Sequence, residues 1–323
     1  GQTFIHVKAV EALLATEGRL PVNVKFIVEG EEASGGETIN AYVPAHADKL
    51  AADVCLVSDT GILAPDQPVI TYGLRGMWYG EVTVTGPATD LHSGLYGGAV
   101  HNANQALAEL LAQLHDETGR VTVPGFYDRV AELSPEERAE MAKLPYREAE
   151  LARETGAPAP YGEPDYLIVE RIGARPTLEI NGMWGGFIGE GAKTVIPSLA
   201  GAKISMRLVA NQNPDKVAEQ FEAHVLKHAP DTVSCKVVRH HGGMPYLASA
   251  EGPVVAAACE ALEEVFGKAP LISREGGSIP IVVTLAEKLG VDVVLMGVGY
   301  PGECSHAPDE HLPLDHLRRG SLA

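Results

Sequence analysis

A chain of 323 residues is long for one domain and comfortable for two, and a hydrophobic share of 45% is enough to fill their cores. A formal charge of −18 leaves nothing to offset repulsion from phosphates, which argues against nucleic-acid binding. No run approaches the ~18 uninterrupted apolar residues of a membrane-spanning helix. Cys55, Cys235, Cys259 and Cys304 form no C-x-x-C pair, which argues against a thiolate zinc site and fits a reducing, cytoplasmic setting.

The first residues, Gly1-Gln2-Thr3-Phe4, include no start methionine and are not a signal peptide, so the chain reads as a piece of a longer protein or a processed one. Phe4, Val7, Val10, Leu13 and Leu14 then recur at helical spacing. A strand-like run over 22–28 leads into Glu29-Gly30-Glu31-Glu32-Ala33-Ser34-Gly35-Gly36. Three glutamates in four positions repel one another unless a cation sits among them, and a divalent metal is the usual answer. Within this loop Glu32 fits either a solvated carboxylate or a base beside a metal-bound water.

A helix is expected over about 39–50, then a strand Val54-Cys55-Leu56-Val57 ending at Ser58-Asp59, where Asp59 fits a turn cap or a metal ligand. The middle of the chain reads differently. Strands at 81–85, 177–181, 200–208 and 232–239, with helices over 99–114 and 214–228, follow the order β-α-β-β-α-β of a split βαβ, ferredoxin-like unit. A polar insertion over 124–172 sits inside it, and its Ser134-Pro135-Glu136-Glu137 has the form of a helix start. Asp90-Leu91-His92-Ser93-Gly94 forms a glycine-shaped loop after the first of these strands. Arg207, at the end of a strand of small and apolar residues, fits an acidic partner or a carboxylate clamp.

Helices follow at 253–266 and 279–289. Before the second of them, Arg274-Glu275-Gly276-Gly277-Ser278 offers a tight turn and a helix N-terminus suited to a carboxylate, with Ser278 as ligand or simple cap. A last strand over 291–298 runs into a Gly/Pro loop and His306. Three strand-like runs thus end at ligand-type residues, as open α/β sheets arrange their sites. Oxygen and imidazole ligands together point to zinc, with manganese or cobalt as alternatives. No G-x-S-x-G nucleophile elbow occurs.

Taken in order, 28–37, Ser58-Asp59, 90–98, Lys193-Thr194-Val195-Ile196-Pro197, 205–214, His241-Gly242-Gly243, 274–280 and 305–308 resemble the M20 metallopeptidases, most closely their carnosine-dipeptidase-like branch. The resemblance implies a zinc-peptidase-like α/β catalytic domain over 1–74 and 244–323. A ferredoxin-like α+β lid over 75–243 interrupts it and makes a homodimer. It implies hydrolysis, with two zinc ions per subunit, of the amide bond of dipeptides or small peptides bearing a free C-terminal carboxylate.

In that picture Glu32 is the general base, Asp59 binds one metal and His306 the other. His92 reaches across the dimer to stabilise the oxyanion. Thr194, Arg207, His241 and Ser278 hold the substrate, with Glu275 near its free amine. Two departures stand out. Ala33 occupies the position of a second acidic ligand, and the family's H-x-D motif and metal-bridging Asp precede the residues present, so two of five expected ligands remain. The expectation is a weakly held metal and impaired hydrolysis. The alternatives are an N-acyl amino acid deacylase and, in another class, a non-catalytic dimeric binding protein.

Overall fold

The structure, a computed structural model, describes residues 1–31, 36–300, 302–304 and 308–323. In chain order its elements are α1 (Gln2–Glu17), α2 (Glu37–Ala45), α3 (Ala47–Leu50), β1 (Val54–Val57), β2 (Val69–Leu74), β3 (Gly76–Thr85), β4 (Leu91–His92), α4 (Ser93–Tyr96), α5 (Ala103–Ala112), α6 (Pro135–Met141), α7 (Glu148–Thr155) and α8 (Ile168–Gly173). They continue with β5 (Thr177–Gly185), β6 (Val195–Ile196), β7 (Leu199–Leu208), α9 (Pro214–His228), β8 (Ser234–Gly243), β9 (Tyr246–Leu247), α10 (Pro253–Phe266), β10 (Leu271–Glu275), α11 (Pro280–Leu289), β11 (Asp292–Leu295) and α12 (Leu314–Leu322). Two compact units result: Gly1–Leu74 with Leu133–Tyr146 and Tyr246–Ala323, and Arg75–Glu132 with Arg147–Pro245.

The first unit is built on a mixed sheet in the order β1-β11-β2-β10, with β9 added to β2. β1 runs parallel to β11 and β10 parallel to β2, while β11 meets β2 antiparallel at Leu295 and Thr71. Every residue of β2 is buried, as a central strand covered on both faces requires. Alternation along β11 divides the core. Val293 and Leu295 join Ile39, Val43, Val282 and Leu285 of α2 and α11, whereas Val294 joins Ile5, Leu262 and Phe266 of α1 and α10.

The strand expected over 22–28 is not formed. Val22, Val24, Phe26 and Val28 are 66%, 42%, 50% and 69% exposed, and no strand pairs with them among the described residues. The composition suits a strand, but a strand exists only where a neighbour takes its amides and carbonyls. β1 forms where expected, yet it is an edge strand with Val54 and Leu56 exposed, not one covered on both faces.

The second unit is a four-stranded antiparallel sheet in the order β5-β7-β3-β8. That order is the ferredoxin-like one expected from the split βαβ pattern. One sheet face is covered by α5 and α9, where Trp78, Val84, Leu107, Ile204, Met206 and Phe221 form the core. The Asn213 side chain accepts from the amides of Asp215 and Lys216 at 2.8 and 3.2 Å, and Pro214 sets the first turn of α9.

Segment Leu133–Tyr146, expected inside the lid, groups instead with the first unit. Its helix α6 opens as the sequence suggests. Ser134 Oγ accepts from the Glu137 amide at 3.1 Å, and the Glu137 carboxylate accepts from the Ser134 amide at 3.0 Å.

His224 of α9 is 8% exposed, and neither ring nitrogen has a hydrogen-bond partner among the described residues. Burial, with smaller contributions from His228 and Lys227, holds its pKa below the ordinary 6.5. The folded state thus binds this proton less readily than the unfolded chain. Stability is full above pH 6.5 and falls as the pH drops from there through the depressed value. Urea midpoints followed by the fluorescence of Trp78 and Trp184, both in this unit, should drop between pH 7.5 and pH 5. His224→Phe should flatten that drop; an unaltered slope would assign it to other groups.

Candidate active site

In the first unit the site is set by two apposed loops. Gly61 bridges Gly299, the Ile62 amide donates to Gly299 O at 2.6 Å, and the Met296 amide donates to Val57 O at 3.1 Å. The residues that follow β1 and β11 therefore run side by side. Asp59, an exposed residue, lies on the first of these loops.

Helix α1 braces both loops. The Gln2 amide nitrogen donates to Thr60 O at 3.2 Å, and its oxygen accepts from the Val298 amide at 2.9 Å. His6 Nε2 lies 2.8 Å from Ser58 Oγ. The Ser58 hydroxyl donates to Met296 O at 2.8 Å, so the imidazole is the donor in that contact. Burial keeps the His6 pKa below its usual value, which suits this neutral role. Nothing in the spacing of Gln2 or His6 on a helical stripe announces these contacts.

Glu275, at the end of β10, accepts from Thr71 Oγ1 at 2.8 Å. Burial raises its carboxyl pKa. Hydrogen bonds from Thr71 and the Gly61 backbone pull it down, and the Asp59 charge pushes it up again. The structure thus brings Asp59 and Glu275 close enough to sense one another. Ser278 lies in the turn between β10 and α11, where Ile279, not Ser278, is the N-cap.

A metal needs several converging donors, and among the described residues no group of three or more His, Cys, Asp or Glu side chains could hold one. Asp59 is the described member of the expected set; Glu32, Ala33 and His306 lie outside the described residues.

In the second unit β4 pairs with β6, matching His92 to Val195 and seating Thr194 beside it, with Ser93 N donating to Thr194 O at 3.1 Å. His92 Nδ1 accepts from the Gly94 amide at 2.9 Å, which leaves Nε2 to carry the proton of the neutral ring. A Cβ on Gly94 would lie 2.7 Å from His92 Cε1, so glycine is what lets the ring sit over this turn. Asp90 Oδ1 closes the loop, accepting from the Ser198 amide at 2.9 Å and its hydroxyl at 3.1 Å.

Arg207 pairs with Met77 and His241 with Tyr79, so the two project from one face of the sheet, the face away from α5 and α9. The His241 ring stacks on Tyr79 at 5.3 Å. Arg75, the first residue of the expected lid, lies near enough to Arg207 to feel its charge. Burial first and the Arg207 charge second lower its pKa to about 10, against an opposing pull from Glu179. Two neighbouring guanidinium groups make this face attractive to an anion.

The family profile of a peptidase dimerisation domain matches residues 72–233. The chain is 35% identical over 320 residues to the Cys-Gly metallodipeptidase of Schizosaccharomyces pombe, an alignment covering 97% of this chain and 67% of that protein. It is 33% identical over 318 residues to the human Beta-Ala-His dipeptidase, covering 97% and 62%. Among solved structures, an M20 family metallo-carboxypeptidase from Sulfolobus solfataricus superposes with a TM-score of 0.88 at 32% identity, covering 99% of this chain and 72% of that one. The chain spans about two thirds of the length of the curated relatives it matches.

Proposed function

The chain belongs to the M20 metallopeptidase family, and from that premise we propose that it hydrolyses the amide bond of dipeptides or small peptides with a free C-terminal carboxylate. The observation that supports this most directly is the pair of carboxyl groups, Asp59 and Glu275, beside the apposed loops after β1 and β11. Asp59 is a hard oxygen donor at a strand end, suited to a divalent metal. Zinc is the metal we propose, with manganese or cobalt as alternatives; when bound it would supply a water activated at neutral pH. In our reading His306 is the other metal ligand of this chain.

Glu32 takes a proton from water and delivers it to the leaving amine. Glu275 receives the free amine of the substrate, and Ser278 helps hold its carboxylate. On the second unit Arg207, Thr194 and His241 present the groups that would hold the C-terminal carboxylate, Arg207 by paired N–H donors. His92, with Nε2–H available, donates to the oxyanion. The edge strand β5, with Ile180 and Met183 exposed, fits a homodimer formed through this unit.

Turnover of a free-amine dipeptide such as Cys-Gly is to be compared with that of its N-acetylated analogue in added zinc or manganese. Faster release from the free amine supports the dipeptidase, and preference for the acetylated compound supports a deacylase. Because Ala33 stands where a second acidic ligand is expected, Ala33→Glu should raise bound metal per chain and raise kcat/KM on the order of tenfold or more. Binding of both compounds with turnover of neither, in the chain and in Ala33→Glu joined to the family's upstream H-x-D segment alike, would favour a non-catalytic binding protein.

A further inference from the structure

Arg274 immediately precedes Glu275 in β10 and is 9% exposed. Its Nε donates to Tyr72 Oη at 2.9 Å, its Nη2 forms an ion pair with Glu137 Oε1, and its guanidinium lies 5.1 Å from the Tyr72 ring. Tyr72 Oη donates to the same Glu137 oxygen at 3.2 Å. The other Glu137 oxygen holds the Ser134 amide at the start of α6. One buried cation therefore ties β2 and β10 to a helix that arrives from the middle of the chain.

The tie sits on an irregular point of the ladder. Ser273 opposes Thr71, but Arg274 opposes Gly73, so a bulge falls between Ser273 and Arg274. The extra residue is Tyr72 of β2, whose hydroxyl accepts from Arg274, and the step it makes sets Glu275 opposite Leu74 with its carboxylate on Thr71 Oγ1. A Cβ on Gly73 would stand 3.0 Å from Arg274 Cγ, so the strand opposite is open where the arginine stem crosses it. Packing alone would be served as well by a hydrocarbon side chain at 274. A forked cation with two fixed partners specifies direction as well as cohesion.

We propose that α6 is a positioning clamp for the reaction proposed above: Glu137, acting through Arg274 and Tyr72, fixes the bulge at Tyr72 of β2 against β10 and so aims Glu275 at the substrate amine. This rests on the dipeptidase reading of Glu275. The variant to make is Glu137→Gln, which keeps the shape of the side chain and removes its charge.

Amide exchange over residues 271–279 is expected to quicken on the order of tenfold, with strands β1 and β11 unaffected. Calorimetric affinities for Ala-Gly and N-acetyl-Ala-Gly, with zinc present, are expected to converge as the variant loses preference for the free amine. Exchange unchanged over 271–279 would overturn the clamp. Faster exchange with the preference intact would reduce α6 to packing and overturn the positioning role. If the unmodified chain itself shows no preference for Ala-Gly, the role given to Glu275 fails, and the exchange result still decides the clamp.

Discussion

Glu163→Ala is expected to lower the stability of the second unit by ~3–5 kcal/mol, the range for removing one partner of a buried pair. Arg175 is 3% exposed, and its Nε and Nη2 donate to the two oxygens of Glu163 at 2.7 and 2.8 Å. Arg120 Nη1 adds a third contact at 2.8 Å. The Arg175 guanidinium also lies 4.3 Å from the Tyr166 ring centre and 5.1 Å from that of Tyr127. Burial works against the charge on Arg175, and Glu163 outweighs it, so the arginine is held more strongly charged than usual. Without Glu163 that charge stays buried with no counter-ion. Urea unfolding followed by tryptophan emission checks this, because Trp78 and Trp184 both lie in the same unit. A loss below ~1 kcal/mol would show the cluster to be solvated or dispensable.

Gly297→Ala should pull apart the two loops on which the candidate metal site depends. Its backbone does not need the left-handed region; its need is for space. A Cβ there would lie 1.9 Å from Thr60 O and 2.7 Å from Gln2 Oε1. The carbonyl is backbone and is held by Gln2, so the clash is relieved only by moving residues 58–60 away from 296–299. We expect ~3 kcal/mol or more in stability, at or beyond the upper end for overpacking, and a large fall in bound metal. Plasma mass spectrometry on the desalted chain and variant measures the second effect. Equal metal content in chain and variant would separate Asp59 from metal binding.

Elements whose own residues fix their form were legible in the sequence. Asn213-Pro214 announces α9, the alternation of Ala202, Ile204 and Met206 announces β7, and Ser134-Pro135 with Glu137 announces α6. Even the strand order of the second unit followed from the order of its elements. What pairing decides was not legible. Residues 22–28 have the composition of a strand and no strand partner among the described residues, while β2 and β10, half of the four-strand path in the first unit, lack a comparable run. Their signals were the β-branched residues Val69, Ile70, Thr71 and Ile272 within short runs. The site divides the same way. Asp59 could be proposed from its place after a strand, but its neighbours Gln2, His6 and Glu275 are joined to it by distance through space. Arg274 could be read as part of a turn, yet its partner Glu137 lies in a segment that every compositional cue assigned elsewhere.

The ladders of the first unit carry a consequence for how the chain is made. Ser58 meets Met296 and Thr71 meets Glu275 across 238 and 204 positions of sequence. During synthesis the second unit can close its sheet as soon as β8 has emerged from the ribosome, since β3, β5 and β7 precede it. The first unit must wait for β10 and β11, with α1, β1 and β2 already made and unsheathed. Long-range pairing of this kind is slow and exposes apolar surface in the interval. Of the residues present here, α1 and β1 therefore wait longest for the elements they pack on or pair with.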